Sequence, residues 1–196
     1  MTLSFRIMPE QWLTDDQFAK LMQLLMAHRP AVDEISLFTH EAMGGFGSLQ
    51  SLTPEADLMR ARIEQLHALG IRSAGINVLC TLGHSDPEGV WAAELNLPLT
   101  VGHDGAVSTA CPCPNSPEFR AYIIAKYKLF AAAKPDFIWV DDDLRMTHHG
   151  VLYPCFCPIC LEKFDQDADR ATLVARMNDP KEAALRRNWI EFNAGV

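Results

Sequence analysis

Cysteines in two clusters are the residues of this sequence whose type and spacing best suit chemistry. One cluster is Cys155-Phe-Cys157-Pro-Ile-Cys160, and the other, earlier in the chain, is Cys111-Pro-Cys113. Thiolates held this close together on short loops can converge on one tetrahedral soft metal ion, at about 2.3 Å from each sulfur. The spacing therefore predicts a metal site that includes Cys155, Cys157 and Cys160.

The sequence offers four candidates for the remaining ligand: Cys113, Cys111, His148 and His149. Cys113 is favoured because it lies in the loop before the third predicted helix, at the same end of the predicted sheet as the second cysteine cluster. A closed site of four sulfurs leaves no coordination position for water, so we expect a structural zinc that does not catalyse. The zinc-binding loop region would span residues 111–160.

Three consecutive acids, Asp141-Asp142-Asp143, directly follow a strand-like run from Phe137 to Val140. In α/β folds catalytic groups collect at the carboxyl ends of the strands. Adjacent carboxylates repel one another, which raises the pKa of at least one of them if the group is partly buried. An acid kept protonated near neutral pH can donate a proton to a leaving oxygen. The structural alternative is a helix N-cap or an ion pair with Arg145.

Several polar and aromatic residues follow predicted strands, so they would lie with these acids at the carboxyl-end edge of the sheet. His40 and His84 are two of them, but singly each is expected to be packing or surface. An exposed tryptophan beside carboxylates suits the apolar face of a sugar ring. We predict a substrate-binding group that consists of Trp12, Glu41, Asp141, Asp142 and Arg145.

Strand-like and helix-like stretches alternate along the chain. The strands are expected at Leu3–Met8, Ile35–Thr39, Ile71–Leu82 and Phe137–Val140. Helices are expected after Thr14, from Thr53-Pro54, from Ser116-Pro117, and near Ile159–Phe164 and Lys181–Phe192, with an irregular region from Gly83 to Ser116. Four strand-then-helix units imply a parallel sheet with right-handed crossovers.

Two α/β architectures fit such units: an open doubly wound sheet, or the first half of an eight-fold β/α barrel, which normally needs about 250 residues. Four barrel strands alone would leave two unpaired edges and an uncovered inner face. We therefore expect either a longer polypeptide or a second copy, in a homo-oligomer, that completes the sheet.

The composition fits a globular chain, because 48% of the 196 residues are apolar and 21% are charged. A formal charge of −8 without a dense basic stripe argues against nucleic acid as a partner. No apolar run reaches the roughly 20 residues that span a bilayer, and the N-terminus lacks a secretory layout. We expect a cytoplasmic protein, where clustered cysteines bind metal more often than they form disulfides.

With these motifs in hand, the chain resembles the β-galactosidases of glycoside hydrolase family forty-two and related barrel glycosidases. The resemblance rests on the run from Cys113-Pro-Asn-Ser-Pro to Arg120, on the Cys155–Cys160 run followed by Phe164, and on Pro9 to Trp12. It implies a (β/α)8 TIM barrel, of which residues 1–196 hold about the first four units. It also implies carbohydrate substrates and a structural zinc bound by Cys113, Cys155, Cys157 and Cys160.

In that family the general acid/base is the Glu of a strand-end Asn-Glu pair, and Asp142 and Asp143 stand at the matching positions. Asp143 is therefore the candidate general acid/base. The nucleophilic Glu of such enzymes lies on the seventh strand, and retaining hydrolysis needs two carboxyls about 5 Å apart, so this segment alone is expected to be inactive. Two other functions stay open: a non-catalytic carbohydrate-binding or assembly module, and a metal-dependent hydrolase that uses Asp141 and Asp143 with His148 or His149.

Overall fold

A computed structural model describes residues 3–40, 47–83, 95–141, 144, 146, 150–167 and 169–195. The chain divides into two compact units. We call the first the sheet unit, which comprises Met1–His84 and Tyr122–Leu144, and the second the cysteine unit, which comprises Ser85–Ala121 and Arg145–Val196.

The described residues form six strands and six α-helices. The strands are β1 (Ser4–Ile7), β2 (Glu34–Phe38), β3 (Ser73–Val78), β4 (Leu99–Val101), β5 (Val107–Pro112) and β6 (Ile138–Val140). The helices are α1 (Asp15–Ala27), α2 (Leu49–Ala68), α3 (Pro117–Ala131), α4 (Pro158–Phe164), α5 (Arg170–Asn178) and α6 (Ala183–Ala194). None of these helices is both long enough and apolar enough to cross a membrane.

The sheet unit contains a four-stranded sheet in the order β1-β2-β3-β6, and all of its neighbouring strands are parallel. Residues in register across it include Ile7, Leu37, Ile76 and Ile138. The order of the strands across the sheet is therefore the same as their order along the chain. The prediction of an α/β fold with a parallel sheet built from strand-then-helix units is confirmed.

The two faces of this sheet differ in chemistry because side chains alternate along each strand. Ile35, Leu37 and Ile76 belong to a buried apolar cluster that also includes residues of α1 and α2. The residues that alternate with them are more polar and include Arg6, Ser36, Asn77 and Trp139. One face is therefore the apolar core of the unit, and the other presents polar and aromatic groups.

Local sequence explains where the first two helices begin. Thr14 caps α1, since its hydroxyl oxygen accepts a hydrogen bond from the Gln17 amide at 3.3 Å. Helix α2 begins at Leu49, earlier than expected from Thr53-Pro54, because Ser48 caps it and accepts from the Ser51 amide at 3.0 Å. Pro54 thus lies inside α2 and removes one backbone donor there.

Strands β4 and β5 form an antiparallel hairpin in the cysteine unit, within a region that the sequence predicted to be irregular. The turn is closed by the Gly102 amide, which donates to the Ala106 carbonyl oxygen at 2.8 Å. Gly105 has a φ of 89°, a left-handed conformation that glycine adopts without strain. The Asp104 carboxylate accepts from the Ala106 amide at 3.0 Å, which fixes the turn further.

The core of the cysteine unit is a small cluster of aromatic rings and cysteines. The rings of Phe156 and Trp189 stack with their centroids 4.3 Å apart, and Phe164 meets Trp189 edge-on at 4.9 Å. Leu173 on α5 is fully buried in the same cluster. Helix α5 was not expected from the sequence, whereas α4 and α6 lie close to where helices were predicted.

Candidate metal centre

Four buried cysteines lie close together in the cysteine unit: Cys113, Cys155, Cys157 and Cys160. We call these residues the four-cysteine cluster. Their side chains are at most 3% exposed, and their four sulfurs all lie within 4.8 Å of one another. Among the described residues, they are the one group of three or more His, Cys, Asp or Glu side chains that could hold a metal ion.

The sulfur–sulfur distances match a tetrahedral metal ion. The Sγ of Cys113 lies 3.5 Å from the Sγ atoms of Cys157 and Cys160, and 3.8 Å from that of Cys155. Four sulfurs placed tetrahedrally at about 2.3 Å from an ion are about 3.8 Å apart. A disulfide would need about 2.0 Å, and no disulfide is formed. The cluster can therefore hold one metal ion.

The elements of the cysteine unit place each sulfur. Cys113 directly follows β5, and its amide donates to the Pro98 carbonyl oxygen at 2.7 Å. Cys157 occupies the N-cap position of α4, and Cys160 lies in the first turn of that helix. The amide of Cys155 donates to Asn193 Oδ1 at 3.2 Å. The three later sulfurs converge because a loop turns directly into a short helix.

Hydrogen bonds among the four thiols shift the pKa values of the individual cysteines in the four-cysteine cluster. Contacts with Cys155, Cys157 and Cys160 retain the proton on Cys113, and together with burial they raise the pKa of its thiol. Contact with Cys113, followed by contacts with Cys155 and Cys160, stabilises a thiolate at Cys157 and lowers the pKa of that thiol. The thiolate is the form of cysteine that binds metals.

Asn115 supports the cluster from the next layer of side chains. Its Nδ2 group donates to Cys160 Sγ at 3.4 Å, and the residue is only 3% exposed. Its carbonyl oxygen accepts from Lys163 Nζ at 2.7 Å, which ties the Asn115 segment to α4. Such donors orient a ligand and delocalise the negative charge of its sulfur.

The structure places Cys113 with the trio and leaves Cys111 outside the cluster. Cys111 is buried, and its Sγ faces the Pro112 carbonyl oxygen at 3.7 Å. Of these two cysteines, therefore, only Cys113 lies close enough to the trio to share a metal ion with it. The other two candidates, His148 and His149, lie outside the described residues.

Asp141 lies at the carboxyl end of β6 in the sheet unit and is 9% exposed. Its Oδ2 atom accepts hydrogen bonds from the Arg6 guanidinium and, at 3.0 Å, from Asn77 Nδ2. The Arg6 guanidinium also lies over the rings of Phe38 and Trp139, at 4.4 and 5.2 Å from their centroids. Asp141 is therefore a fixed acceptor within a polar and aromatic network.

Trp12 does not have the exposed position that was expected of it. The residue is fully buried, and its indole Nε1 donates to the Phe38 carbonyl oxygen at 3.1 Å. Its large apolar surface fills the core of the sheet unit while its polar N–H is satisfied. The candidate general acid/base Asp143 and three of the predicted substrate-binding residues lie outside the described residues: Glu41, Asp142 and Arg145.

Sequence reasoning missed Arg6 and Asn77 as partners of Asp141. The sequence did contain an indication of these contacts. Because side chains alternate along strands, Arg6 on β1 and Asn77 on β3 lie on the same face of the sheet as Asp141. It also missed Lys126, which is 1% exposed and donates from Nζ to the Cys80 carbonyl oxygen at 2.9 Å. A lysine within an apolar helix stripe gives no such indication by itself.

Comparison with known proteins adds no family to this geometry. No protein-family model, no curated protein and no solved structure matches the chain.

Proposed function

We propose that the four-cysteine cluster binds one zinc ion with a structural role. The observation that carries the proposal is the set of four buried sulfurs, with Cys113 at 3.5 to 3.8 Å from the other three. Four thiolates in tetrahedral geometry select zinc or iron among the common metals. All four positions would be filled by protein sulfurs, so the ion would stabilise the cysteine unit without activating water.

Metal analysis of the purified chain tests the zinc proposal. We expect about one equivalent of zinc, as one closed site requires. Cys157→Ser should lose the metal, whereas Cys111→Ser should retain it, because the Cys111 sulfur lies outside the cluster. A chain that contains no metal, or that loses zinc equally in both variants, would contradict the proposal. Stoichiometric iron with visible absorption would contradict the identity of the metal.

We propose further that the chain is the first part of a (β/α)8 barrel of the glycoside hydrolase type, which acts on carbohydrates. The strand order β1-β2-β3-β6 follows the chain without a reversal, as in β/α barrels, whereas doubly wound sheets reverse at a switch point. Asp141 supports a polar site at the carboxyl edge of this sheet. Its sequence neighbours Asp142 and Asp143 supply the further carboxyl groups.

Within this proposal the residues have distinct roles. Asp143 is the general acid/base that protonates the leaving oxygen. Arg6 and Asn77 hold Asp141 in one orientation, so that Asp141 orders the polar face of the strands. Trp139 shares that face and is 41% exposed, so its ring, and not that of the buried Trp12, offers an apolar surface to a sugar.

The hydrolase proposal is tested by turnover in a polypeptide that also supplies the second carboxyl group. Asp143→Asn should lower the rate of cleavage of glycosides with poor leaving groups by about 10²- to 10⁴-fold, which is the usual contribution of a general acid. Glycosides with activated aryl leaving groups should be affected much less, because they need little protonation. Asp57→Asn, which changes an exposed carboxylate on α2, is the matched control. Equal loss on both substrate classes would contradict the acid role.

A non-catalytic carbohydrate-binding module is the second candidate. The hydrogen bonds from Arg6 and Asn77 to Asp141 favour this candidate, because they give the Asp141 carboxylate a structural role instead of a catalytic one. This alternative predicts sugar binding that Asp143→Asn leaves unchanged and that Trp139→Ala weakens. It also predicts no hydrolysis of any glycoside by the completed polypeptide.

A further inference from the structure

A cavity of about 420 Å³ lies in the cysteine unit, and none of the four cysteines lines it. Its size falls in the range of small-molecule sites. Among the residues that line it are His103, Tyr153, Phe156, Arg186, Trp189 and Ile190. All of these are described residues of the cysteine unit, and none is a predicted zinc ligand or a predicted substrate-binding residue.

The walls of the cavity suit the face of a ring. Phe156 and Trp189 are stacked, and Tyr153 meets His103 edge-on with ring centroids 5.5 Å apart. Tyr153 is 72% exposed and Ile190 is 66% exposed, so large apolar surfaces face solvent on this side. Phe156 and Trp189 are only 3% and 6% exposed, so the surface open to a ligand ring is that of Tyr153 and Ile190.

Arg186 supplies a positive charge that the described protein does not neutralise. Its Nη1 donates to the carbonyl oxygens of Met177 and Asp179, both at 2.7 Å, so the guanidinium is anchored at the end of α5. Among the described residues it makes no ion pair, and the cavity lining contains no acidic side chain. An anchored guanidinium without an acidic neighbour in the lining favours an anionic ligand.

His103 adds a position for a hydroxyl group. Its Nδ1 lies 3.1 Å from the Leu152 carbonyl oxygen, so the neutral ring carries its proton on Nδ1. The Nε2 atom can then accept a hydrogen bond from a ligand. The cavity thus combines an apolar ring surface, a cation and an acceptor.

We propose that this cavity binds a hydroxylated ring that carries a carboxylate. Two sources have this chemistry: a hexuronic acid residue of an acidic polysaccharide, and a free hydroxybenzoate. The carboxylate pairs with the free edge of the Arg186 guanidinium, the ring packs on the exposed side chains of Tyr153 and Ile190, and a hydroxyl group donates to His103. The proposal is independent of hydrolysis at the strand ends.

Titration calorimetry on the zinc-loaded chain tests it with two matched pairs of probes. The first pair is digalacturonate and digalactose, and the second is 4-hydroxybenzoate and 4-hydroxybenzamide. In at least one pair the anion should bind at least tenfold more tightly than its neutral partner, and the pair that does so identifies the source. Equal affinities in both pairs, or no binding of either anion at 10 mM (about 2.7 kcal/mol of affinity), would overturn the proposal.

Variants locate the binding. Arg186→Gln should remove the preference for the anion, and Arg187→Gln, which deletes the adjacent exposed charge outside the cavity, should leave the preference intact. Tyr153→Ala changes an exposed ring and should weaken both members of the pair several-fold while zinc content and fold are retained. If Arg186→Gln and Arg187→Gln reduce the preference for the anion equally, the assignment to this cavity is overturned. It is also overturned if Tyr153→Ala does not weaken binding, and this second test remains usable even if Arg186→Gln fails to fold.

Discussion

Among the described residues, one buried cluster in the sheet unit contains nineteen apolar residues, whereas the cluster around the sulfurs in the cysteine unit contains seven, of which four are cysteines. The sheet unit also has parallel ladders between four strands, while the described part of the cysteine unit has one two-stranded hairpin. At about 1.5 to 3 kcal/mol for each large buried side chain, burial contributes far more to the first cluster than to the second.

The second cluster lacks that apolar mass, and its centre consists of thiols. Small folds with so little core commonly depend on a metal or on disulfides. If the four-cysteine cluster binds zinc as proposed, coordination stabilises the cysteine unit, whereas hydrophobic burial stabilises the sheet unit. Each of the following changes should affect one unit and spare the other.

Removal of the metal should have the largest effect. With the zinc extracted by a strong chelator, we expect the cysteine unit to lose its amide protection, since structural zinc contributes on the order of 10 kcal/mol to such folds. Hydrogen exchange followed by mass spectrometry should show fast exchange around Leu173 and Trp189, with slow exchange kept at Ile35 and Ile76. Uniform loss of protection in both units would refute the contrast.

Leu37→Ala should destabilise the sheet unit by about 2 to 5 kcal/mol, because it opens a cavity in a fully buried position of β2. Zinc content should stay at the wild-type level. Denaturant unfolding, monitored by hydrogen exchange of β2 and β3, measures the change. Leu24→Ala removes a side chain that is 58% exposed and serves as the control. A loss of zinc in Leu37→Ala would show that the units are not independent.

Asn115→Ala should weaken retention of the metal without unfolding the chain. Loss of the N–H donor to Cys160 Sγ is expected to speed transfer of zinc to a competing chelator by about 10- to 100-fold. Asn188→Ala changes an exposed asparagine on α6 and should have no effect. Identical transfer rates for both variants would show that the Asn115 contact does not support the metal site.

Asp136→Asn should have the smallest effect, and it should depend on pH. The Ala74 amide donates to Asp136 Oδ2 at 2.7 Å, and His67 Nε2 lies 2.8 Å from the same atom. The backbone hydrogen bond, followed by His67, lowers the pKa of Asp136 below its ordinary value of 3.8.

A carboxyl group whose pKa is lower in the folded state stabilises the fold above pH 3.8, and this contribution disappears as the pH falls through the folded-state pKa. Since the side chain is 42% exposed, solvent screening limits the loss in Asp136→Asn at neutral pH to about 1 kcal/mol or less. Urea unfolding at pH 7 and at pH 3 measures it, and a larger difference between variant and wild type at pH 3 would reverse the expected sign.

The sequence predicted the parts of the fold that depend on local patterns. The strand expected at Ile35–Thr39 is observed at Glu34–Phe38, and the helix expected after Thr14 begins at Asp15. Periodic burial and N-caps determine these positions, and both can be seen within a few residues. The hairpin β4–β5 was not predicted, because β4 has only three residues and its pairing with β5 has an irregular register.

The candidate sites were predictable to the extent that a motif was compact. Cys155, Cys157 and Cys160 fall within one short run, so their convergence followed from spacing. Contacts between distant residues were not accessible in this way: Arg6 meets Asp141 across 135 residues, and the burial of Trp12 depends on an acceptor on β2. Only the register of the sheet brings such partners together.

Cys113 and Cys155 are 42 positions apart in the chain, so an ion held by both acts as a reversible cross-link. A covalent bridge closing a loop of this length would restrict the unfolded chain by about 4 kcal/mol in the chain-entropy model. A coordinated ion can supply a similar restriction with the thiols still reduced. Metal supply, and not the oxidising power of the surroundings, would then decide whether this loop is closed.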